Sequence, residues 1–358
     1  MADVVTQPAF WRGKRVFVTG HTGFKGSWLS LWLASAGAEV FGFALAPPTS
    51  PSLFNELRLA ERLAGHTIGD VRDQDAVLRA MAAATPDIVL HLAAQPLVRY
   101  SYDAPIETFG VNVMGTAHVL EAARRVDRVR AIVNVTTDKC YENREWVWAY
   151  REDEAMGGHD PYSSSKGCSE LVTAAYRRSF FNAAGVFLGS GRAGNVIGGG
   201  DWAADRLLPD VFRALERGEP LRIRSPGAIR PWQHVLEPLS GYIMLAHRLY
   251  EEGAAFADAW NFGPHENDAR PVGWILEHLR SLDPDLGWSF DDASGVHEAQ
   301  YLKLDSAKAR QVLGWQPRWS LPAALKHTLD WHRAWRGGTA AEAICLSQIR
   351  AYEDRSGG

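Results

Sequence analysis

The run Arg15-Val-Phe-Val-Thr19 leading into Gly20-His-Thr-Gly23-Phe-Lys-Gly26 constrains this chain more than any other feature. A buried-type strand ends in glycines spaced three and three, and helical text follows. Such a strand-turn-helix leaves free helix N–H groups and the positive end of the helix dipole facing a ligand, which suits phosphate. Gly20 permits the tight turn, Gly23 lets backbone approach a pyrophosphate, and Gly26 lets the helix pack on the strand. Thr22, Phe24 and Lys25 share this turn and are expected beside the same ligand. A glycine-rich connector without a ligand would not need the strand before it and the helix after it.

The text around this turn alternates. Strands are expected at Arg15–Thr19, Glu39–Phe43, near Thr67–Ile68, Asp87–Leu92 and Ala131–Val135. Helices are expected at Gly26–Ala36 (with Gly37 as the stop), Leu53–Leu63, Asp73–Ala84 and Glu107–Val126. Near-continuous hydrophobic strands between helices imply a parallel sheet covered on both faces. The fold class expected is therefore α/β, a Rossmann-type doubly wound parallel sheet with a smaller α/β substrate-binding domain. The boundaries expected are 1–190 for the dinucleotide domain, with a later contribution from about 228–258. Residues 191–227 and 259–340 form the smaller domain, and 341–358 a C-terminal tail. The length of 358 residues accommodates two domains. Basic and acidic residues number 38 and 42, so no charge excess calls for nucleic acid or an anionic membrane. Three cysteines (Cys140, Cys168, Cys345) form no disulfide framework or metal spacing, and no metal is expected. The first residues lack a signal-peptide pattern, and no apolar run reaches membrane-spanning length, so the cytoplasm is expected. Fourteen tryptophans are unusual. Trp28 and Trp32 share a helix face and read as core, whereas Trp202 and Trp232 stand in loops where stacking or anchoring is open.

The chemical signal is Tyr162-Ser-Ser-Ser-Lys166. At a helix start, positions i and i+4 share a face. A phenol titrates near 10, and a nearby ammonium with a positive nicotinamide would lower that value. Tyr162 could then accept a hydroxyl proton while Lys166 holds the nicotinamide ribose.

The glycine spacing and the Tyr-Lys pair resemble the extended short-chain dehydrogenase/reductase family. Within it, the chain closely resembles the 4,6-dehydratases that act on CDP-D-glucose. That likeness runs from about Phe10 to Trp335, most distinctively in 20–30, 136–143, 192–202, 230–242 and 260–264. It implies a cofactor site that adds Asp70, Val71, Leu92, Ala93, Ala94, Gln95, Asn112 and Thr136 to the turn residues, Tyr162 and Lys166. It also implies a third catalytic residue at the end of the fifth strand, which Thr137 matches. Asp138 is then the acid for the C6 hydroxyl and needs a raised pKa. Lys139, where related dehydratases carry Glu, is the candidate base at C5, though another group could serve. Gln95, Thr137, Asn195, Arg206, Arg230, Asn261 and Tyr301 are the implied substrate contacts, with His297 a weaker one. One family feature is missing: Phe43-Ala-Leu-Ala-Pro47 holds no carboxylate for the adenosine ribose. It holds no Arg or Lys either, so NAD is favoured over NADP. The implied reaction is CDP-D-glucose to CDP-4-dehydro-6-deoxy-D-glucose plus water. The implied assembly is a homodimer, or a dimer of dimers, through Glu107–Val126 and the helix after Tyr162. A nucleotide-sugar 4-epimerase, a dehydratase for another nucleotide-glucose and a non-catalytic cofactor-binding regulator remain as alternatives.

Overall fold

The structure is a computed structural model that describes residues 7–223, 225–290 and 302–354. Its centre is a sheet of seven parallel strands: β1 Arg15–Thr19, β2 Glu39–Ala44, β3 Gly65–Ile68, β4 Ile88–His91, β5 Ala131–Val135, β6 Phe187–Ala193 and β7 Ala259–Phe262. The order is β7-β6-β5-β4-β1-β2-β3. The chain winds outward from β1 to β3, then returns to place β4 on the other side of β1. The carboxyl ends of β1 and β4 therefore flank the switch point where such sheets bind ligands.

The longer helices are α1 Phe24–Ser35, α2 Gln74–Ala84, α3 Gly115–Arg124, α4 Pro161–Tyr176, α5 Leu207–Arg217, α6 Leu236–Glu252, α7 Val272–Leu282, α8 Leu321–Arg336 and α9 Ala341–Glu353. Successive strand residues serve opposite faces. Val16, Val18, Ile88, Leu90 and Val133 pack with α1, α6 and α9, while Phe17, Val89 and Ile132 pack with α2 and α3. That double coverage is why these strands read as unbroken apolar text. Local caps follow the sequence. Asp73 caps α2 by accepting from Ala76 N at 2.9 Å, and Asp160 caps α4 by accepting from Ser163 N at 2.9 Å. The Leu53–Leu63 helix is instead two short pieces, Leu53–Glu56 and Leu59–Glu61, because Arg58 between them takes a left-handed backbone (φ 51°). The helix expected at Glu107–Val126 starts earlier, as Pro105–Phe109, and passes through a π-helical stretch, Gly110–Met114, before α3.

The smaller lobe has its own core, in which Leu208, Val211, Phe212, Trp232, Ile275, Leu279, Leu325 and Leu329 meet. It is tied by two-residue and three-residue ladders: 196–197 with 233–234, 229–231 with 269–271, and 221–223 with 288–290. Two boundaries differ from the sequence reading. Ala259–Phe262 is the edge strand of the main sheet, paired with β6, and not part of the smaller lobe. Residues 341–353, a helix with a frayed end on the sequence reading, form the helix α9, but one docked in the sheet-side core through Ile344, Cys345, Ile349 and Tyr352 and not a separate tail.

One buried carboxylate helps dock α9. Glu237 accepts the Tyr352 hydroxyl at 2.6 Å, Trp319 N at 2.8 Å and Arg318 N at 3.0 Å. Burial pushes Glu237 up to about 7 despite these donors. Tyr352→Phe removes a donor from a buried acceptor and is expected to cost about 1–3 kcal/mol, read as a lower urea midpoint. An unchanged midpoint would mean that the Tyr352 hydroxyl contributes nothing to the docking of α9.

Candidate active site

The glycine turn has the form a dinucleotide requires. Gly20 sits at φ 76°, and a Cβ there would lie 2.7 Å from Ala93 N. A Cβ on Gly26 would lie 2.1 Å from the Gly20 carbonyl oxygen, so α1 can approach β1 this closely only without a side chain. At Gly23, the N-cap of α1, the nearest atom to a Cβ is the Gly20 oxygen at 3.5 Å. The space outside Gly23 is thus open toward the helix N-terminus, as a pyrophosphate needs.

The other turn residues divide. The Thr22 hydroxyl is spent on Leu45 O at 2.9 Å, and Phe24 packs on the core. Lys25 is half-buried. Burial first and the nearby Arg206 charge second pull it down to about 8, while Asp138 and Asp201 oppose them. Lys25 therefore belongs electrostatically to the catalytic end of the cleft. The end of β2 carries no carboxylate. Alongside that strand, His21 Nε2 lies 2.8 Å from His66 Nδ1, a pairing the sequence reading did not foresee.

Beyond β5 the chain builds the catalytic group. The Thr137 hydroxyl donates to Asp138 Oδ1 at 3.0 Å and accepts from Lys139 N at 3.3 Å, capping the short helical turn Asp138–Cys140. Its influence also reaches the Tyr162 phenol, whose pKa it lowers. Asp138 is 2% exposed. Burial raises its pKa, against the opposing pull of Lys139, the Thr137 hydroxyl and Arg230. Its Oδ2 stands where a Cβ on Gly194 would come within 2.8 Å, beside Pro231. The loops carrying Asn195 and Arg230 therefore converge on this carboxyl.

Burial pushes Tyr162 up to about 12, with Thr137 opposing and Asp138 assisting. This reverses the expected lowering: in the chain alone desolvation dominates, and Lys166 is not among the charges that move the phenol. Burial also lowers Lys166 to about 8, with Glu170 opposing it. Lys139 is half-buried beside Asp138.

The remaining predicted residues fall into three groups. Asn195 is half-buried in the loop after β6, and its carbonyl accepts Gln233 N at 3.1 Å. Arg206 donates to Asp201 Oδ2 at 3.0 Å, and the charges of both are felt at Lys25. Arg230 is buried and its charge reaches Asp138. A second group is structural. Leu92 N and Ala93 N donate to Thr19 Oγ1, both at 3.2 Å, and Ala94 follows them half-buried. Val71 is buried and its carbonyl faces His118 Nδ1 at 2.9 Å. Asp70 is held bidentately by Arg72, which keeps its carboxyl below the ordinary range. Asn112 grips Gln95 through both backbone groups, at 2.9 and 3.1 Å, and donates to Ser165 at 2.8 Å.

Two expected substrate contacts are corrected. The Gln95 amide is committed to the Thr108 hydroxyl (2.8 Å) and Leu97 N (2.5 Å). Asn261 is fully buried, accepting the Tyr141 hydroxyl at 2.7 Å and donating to Tyr150 O and Asp305 O. Both side chains are consumed in closing the protein around the site. Tyr301 and His297 lie outside the described residues. Trp202 packs edge-on against Trp331 and Trp335, and Trp232 is buried in the smaller core, so both anchor loops. Sequence reasoning missed Glu170 and Arg192, a buried ion pair at 2.9 Å behind Thr136. The signal for Glu170 was the continuation of the Tyr162–Lys166 spacing by one further turn of α4; Arg192, on β6, has no such local signal.

A phosphate-cradling turn, a Tyr-Lys pair and a strand-end Thr on a doubly wound sheet define an enzyme of the extended short-chain dehydrogenase/reductase class. Residues 17–258 match the GDP-mannose 4,6 dehydratase family, and the chain belongs to that family of nucleotide-sugar 4,6-dehydratases. It is 58% identical over 349 residues to the CDP-glucose 4,6-dehydratase of Salmonella typhimurium, covering 96% of this chain and 97% of that protein. It is 25% identical to a dTDP-glucose 4,6-dehydratase of Xanthomonas campestris, covering 93% and 98%. Among solved structures, an epimerase of Methanothermobacter thermautotrophicus superposes with a TM-score of 0.79 at 24% identity, covering 96% of this chain and 98% of that one. A UDP-glucose-4-epimerase of Stenotrophomonas maltophila with bound NAD superposes at 0.80 with 19% identity, covering 91% and 99%.

A carboxyl whose folded pKa is raised penalises folding once pH exceeds its unfolded value, here 3.8. Asp138→Asn is therefore expected to stabilise the fold at pH 8 but not near pH 3.5. Urea unfolding at the two pH values checks this; equal effects at both would show that Asp138 carries no buried-charge penalty.

Proposed function

We propose that this enzyme converts CDP-D-glucose to CDP-4-dehydro-6-deoxy-D-glucose and water, with NAD as its resident cofactor. The observation that carries the proposal is the buried Asp138, joined to Thr137 and flanked by Lys139 at the carboxyl end of β5. An epimerase has no use for a proton donor and a base there. When bound, NAD supplies a reversible hydride acceptor, so hydrogen taken from C4 is available for C6 and no net oxidation results. The turn Gly20–Gly26 and the first N–H groups of α1 hold its pyrophosphate, and Lys166 holds the nicotinamide ribose. Tyr162 takes the proton of the substrate 4-hydroxyl while the Thr137 hydroxyl orients that oxygen. The C4 ketone acidifies the C5 proton, which Lys139 removes and returns to C5 once C6 has been reduced. Asp138, whose hold on its proton burial strengthens, gives that proton to the departing C6 hydroxyl, which leaves as water. Arg230 and Arg206 face the diphosphate of the nucleotide, a geometry suited to guanidinium groups. Asn195 stands between them and the sugar, with the smaller lobe receiving the nucleotide. The cytoplasm, where nucleotide sugars are made, is the compartment proposed. No helix among the described residues is long and apolar enough to cross a membrane.

Incubation with CDP-, dTDP-, GDP- and UDP-glucose is expected to give the 4-keto-6-deoxy chromophore from CDP-glucose in preference to the others. Asp138→Asn and Tyr162→Phe are each expected to lower kcat by roughly 10²–10⁴. Full turnover by Asp138→Asn would sink the dehydratase mechanism, and preferred turnover of another nucleotide would move the specificity.

The dimer proposed pairs the α3 and α4 faces of two copies. Ile106, Met114, Leu171 and Phe180 are exposed there, at 83%, 52%, 60% and 46%. Val172 and Tyr176 of α4 are half-buried and pack inward. Leu171→Glu with Met114→Glu is expected to halve the sedimenting mass; a wild-type protein that already sediments as a monomer would refute the assembly.

A further inference from the structure

Glu170 lies one helical turn beyond Lys166 and two beyond Tyr162 on α4, so the three share a face. Only 4% of its surface is exposed. One carboxylate oxygen accepts the Thr136 hydroxyl at 2.5 Å. The other accepts the Ser190 hydroxyl at 2.7 Å and Arg192 at 2.9 Å. Arg192 donates onward to the Tyr141 hydroxyl at 2.7 Å and to Glu152 O at 3.0 Å. Tyr141 in turn donates to Asn261 Oδ1 at 2.7 Å. One carboxylate thus joins α4 to β5, β6 and, through two further side chains, β7.

Stability is a weak explanation for this arrangement. A buried ion pair sacrifices the hydration of both charges, and apolar replacements of equal volume often fold as well or better. Its location offers another reason. Thr136 immediately precedes Thr137, and Lys166 stands on the same helix face as the carboxylate.

We propose that Glu170 is a positioning residue of this site, locking the Thr136–Thr137 end of β5 against α4 and supplying the buried negative charge that Lys166 faces. The proposal rests on the catalytic reading of Thr137, Tyr162 and Lys166. Glu170 touches no reacting atom; it acts through Thr136 and Lys166.

The titratable groups that act on Lys166 or feel it come from several elements. Glu170 on α4 favours its charged form. Cys140, after β5, has a thiol held protonated by burial. His91 on β4 is held neutral, at about 3, by burial and then by Lys166 itself. Lys25 at the start of α1 is a like charge. Glu170 is therefore the one carboxylate whose removal should let burial pull Lys166 further below its value of about 8.

Removing Glu170 alone would orphan Arg192, so the test uses the charge-free double variant Glu170→Gln with Arg192→Gln, and Glu170→Asp as the conservative replacement. Lys166 is followed directly by NMR of 13C-labelled lysine side chains, assigned by the signal missing from Lys166→Arg. The titration midpoint of Lys166 is expected to fall by about one pH unit in the double variant. It should return most of the way in Glu170→Asp. With CDP-glucose, kcat is expected to fall about ten- to hundredfold, the size of a small misplacement of reacting groups. The alkaline limb of kcat/KM should move to lower pH with the lysine. A lysine midpoint and alkaline limb that stay in place in a folded double variant would overturn the role of Glu170. A midpoint that moves while the rate and its pH profile stay unchanged would instead overturn the catalytic reading of Lys166, and with it any part for Glu170 in the reaction.

Discussion

The rest of the molecule depends on the contact between two glycines. With no side chain on Gly26, α1 sits directly on the Gly20 carbonyl and is held hard against the end of β1. From that seat, α1 sends Trp28 to the Gly199 carbonyl at 2.9 Å and Trp32 to the Glu353 carboxylate at 2.9 Å. The first helix of the fold thus fixes both a substrate-lobe loop and the last helix of the chain. The tryptophans that looked anomalous by count are the long arms by which this one close approach is transmitted.

Desolvation is the force that shapes the site's chemistry. It raises Asp138 and Tyr162, and it lowers Lys166 and Lys25. Asp138 becomes reluctant to ionise and the two lysines more willing to give up a proton, so these three move toward neutrality, whereas Tyr162 moves away from it and as a base would need the positive charge that a bound nicotinamide brings. The groups that oppose it are local: Lys139, Thr137 and Arg230 at Asp138, Thr137 and Arg206 at Tyr162, Glu170 at Lys166, and Asp138 and Asp201 at Lys25.

Much of this was legible in the chain. The Gly20–Gly26 turn, the strand alternation, the Tyr162–Lys166 spacing and the Thr137-Asp138-Lys139 run are local patterns, and local patterns survive in sequence. What was lost was tertiary. Asn261 and Gln95 read as ligand contacts because both are polar and near the right motifs, yet each is spent bonding its own protein. β7 read as lobe text because Ala259–Phe262 lies among loop residues, and only its pairing with β6 shows where it belongs. In the chain without a nicotinamide, burial holds the Tyr162 phenol up, and spacing, which reports which groups are neighbours, says nothing of how dry their surroundings are.

The helix α8 has a further implication. Its Leu325 and Leu329 belong to the smaller core, while its Trp331 belongs to the core of the sheet. The chain also leaves the sheet after β6, returns for α6 and β7, leaves again, and returns as α9. Lobes stitched by one shared rod and repeated crossings cannot swing as two halves of a hinge. Substrate must therefore be admitted by adjustments of the loops around 194–206 and 225–231, with the cleft walls staying in register. The same stitching makes the two cores melt as a single cooperative unit, because neither can lose α8 and remain covered.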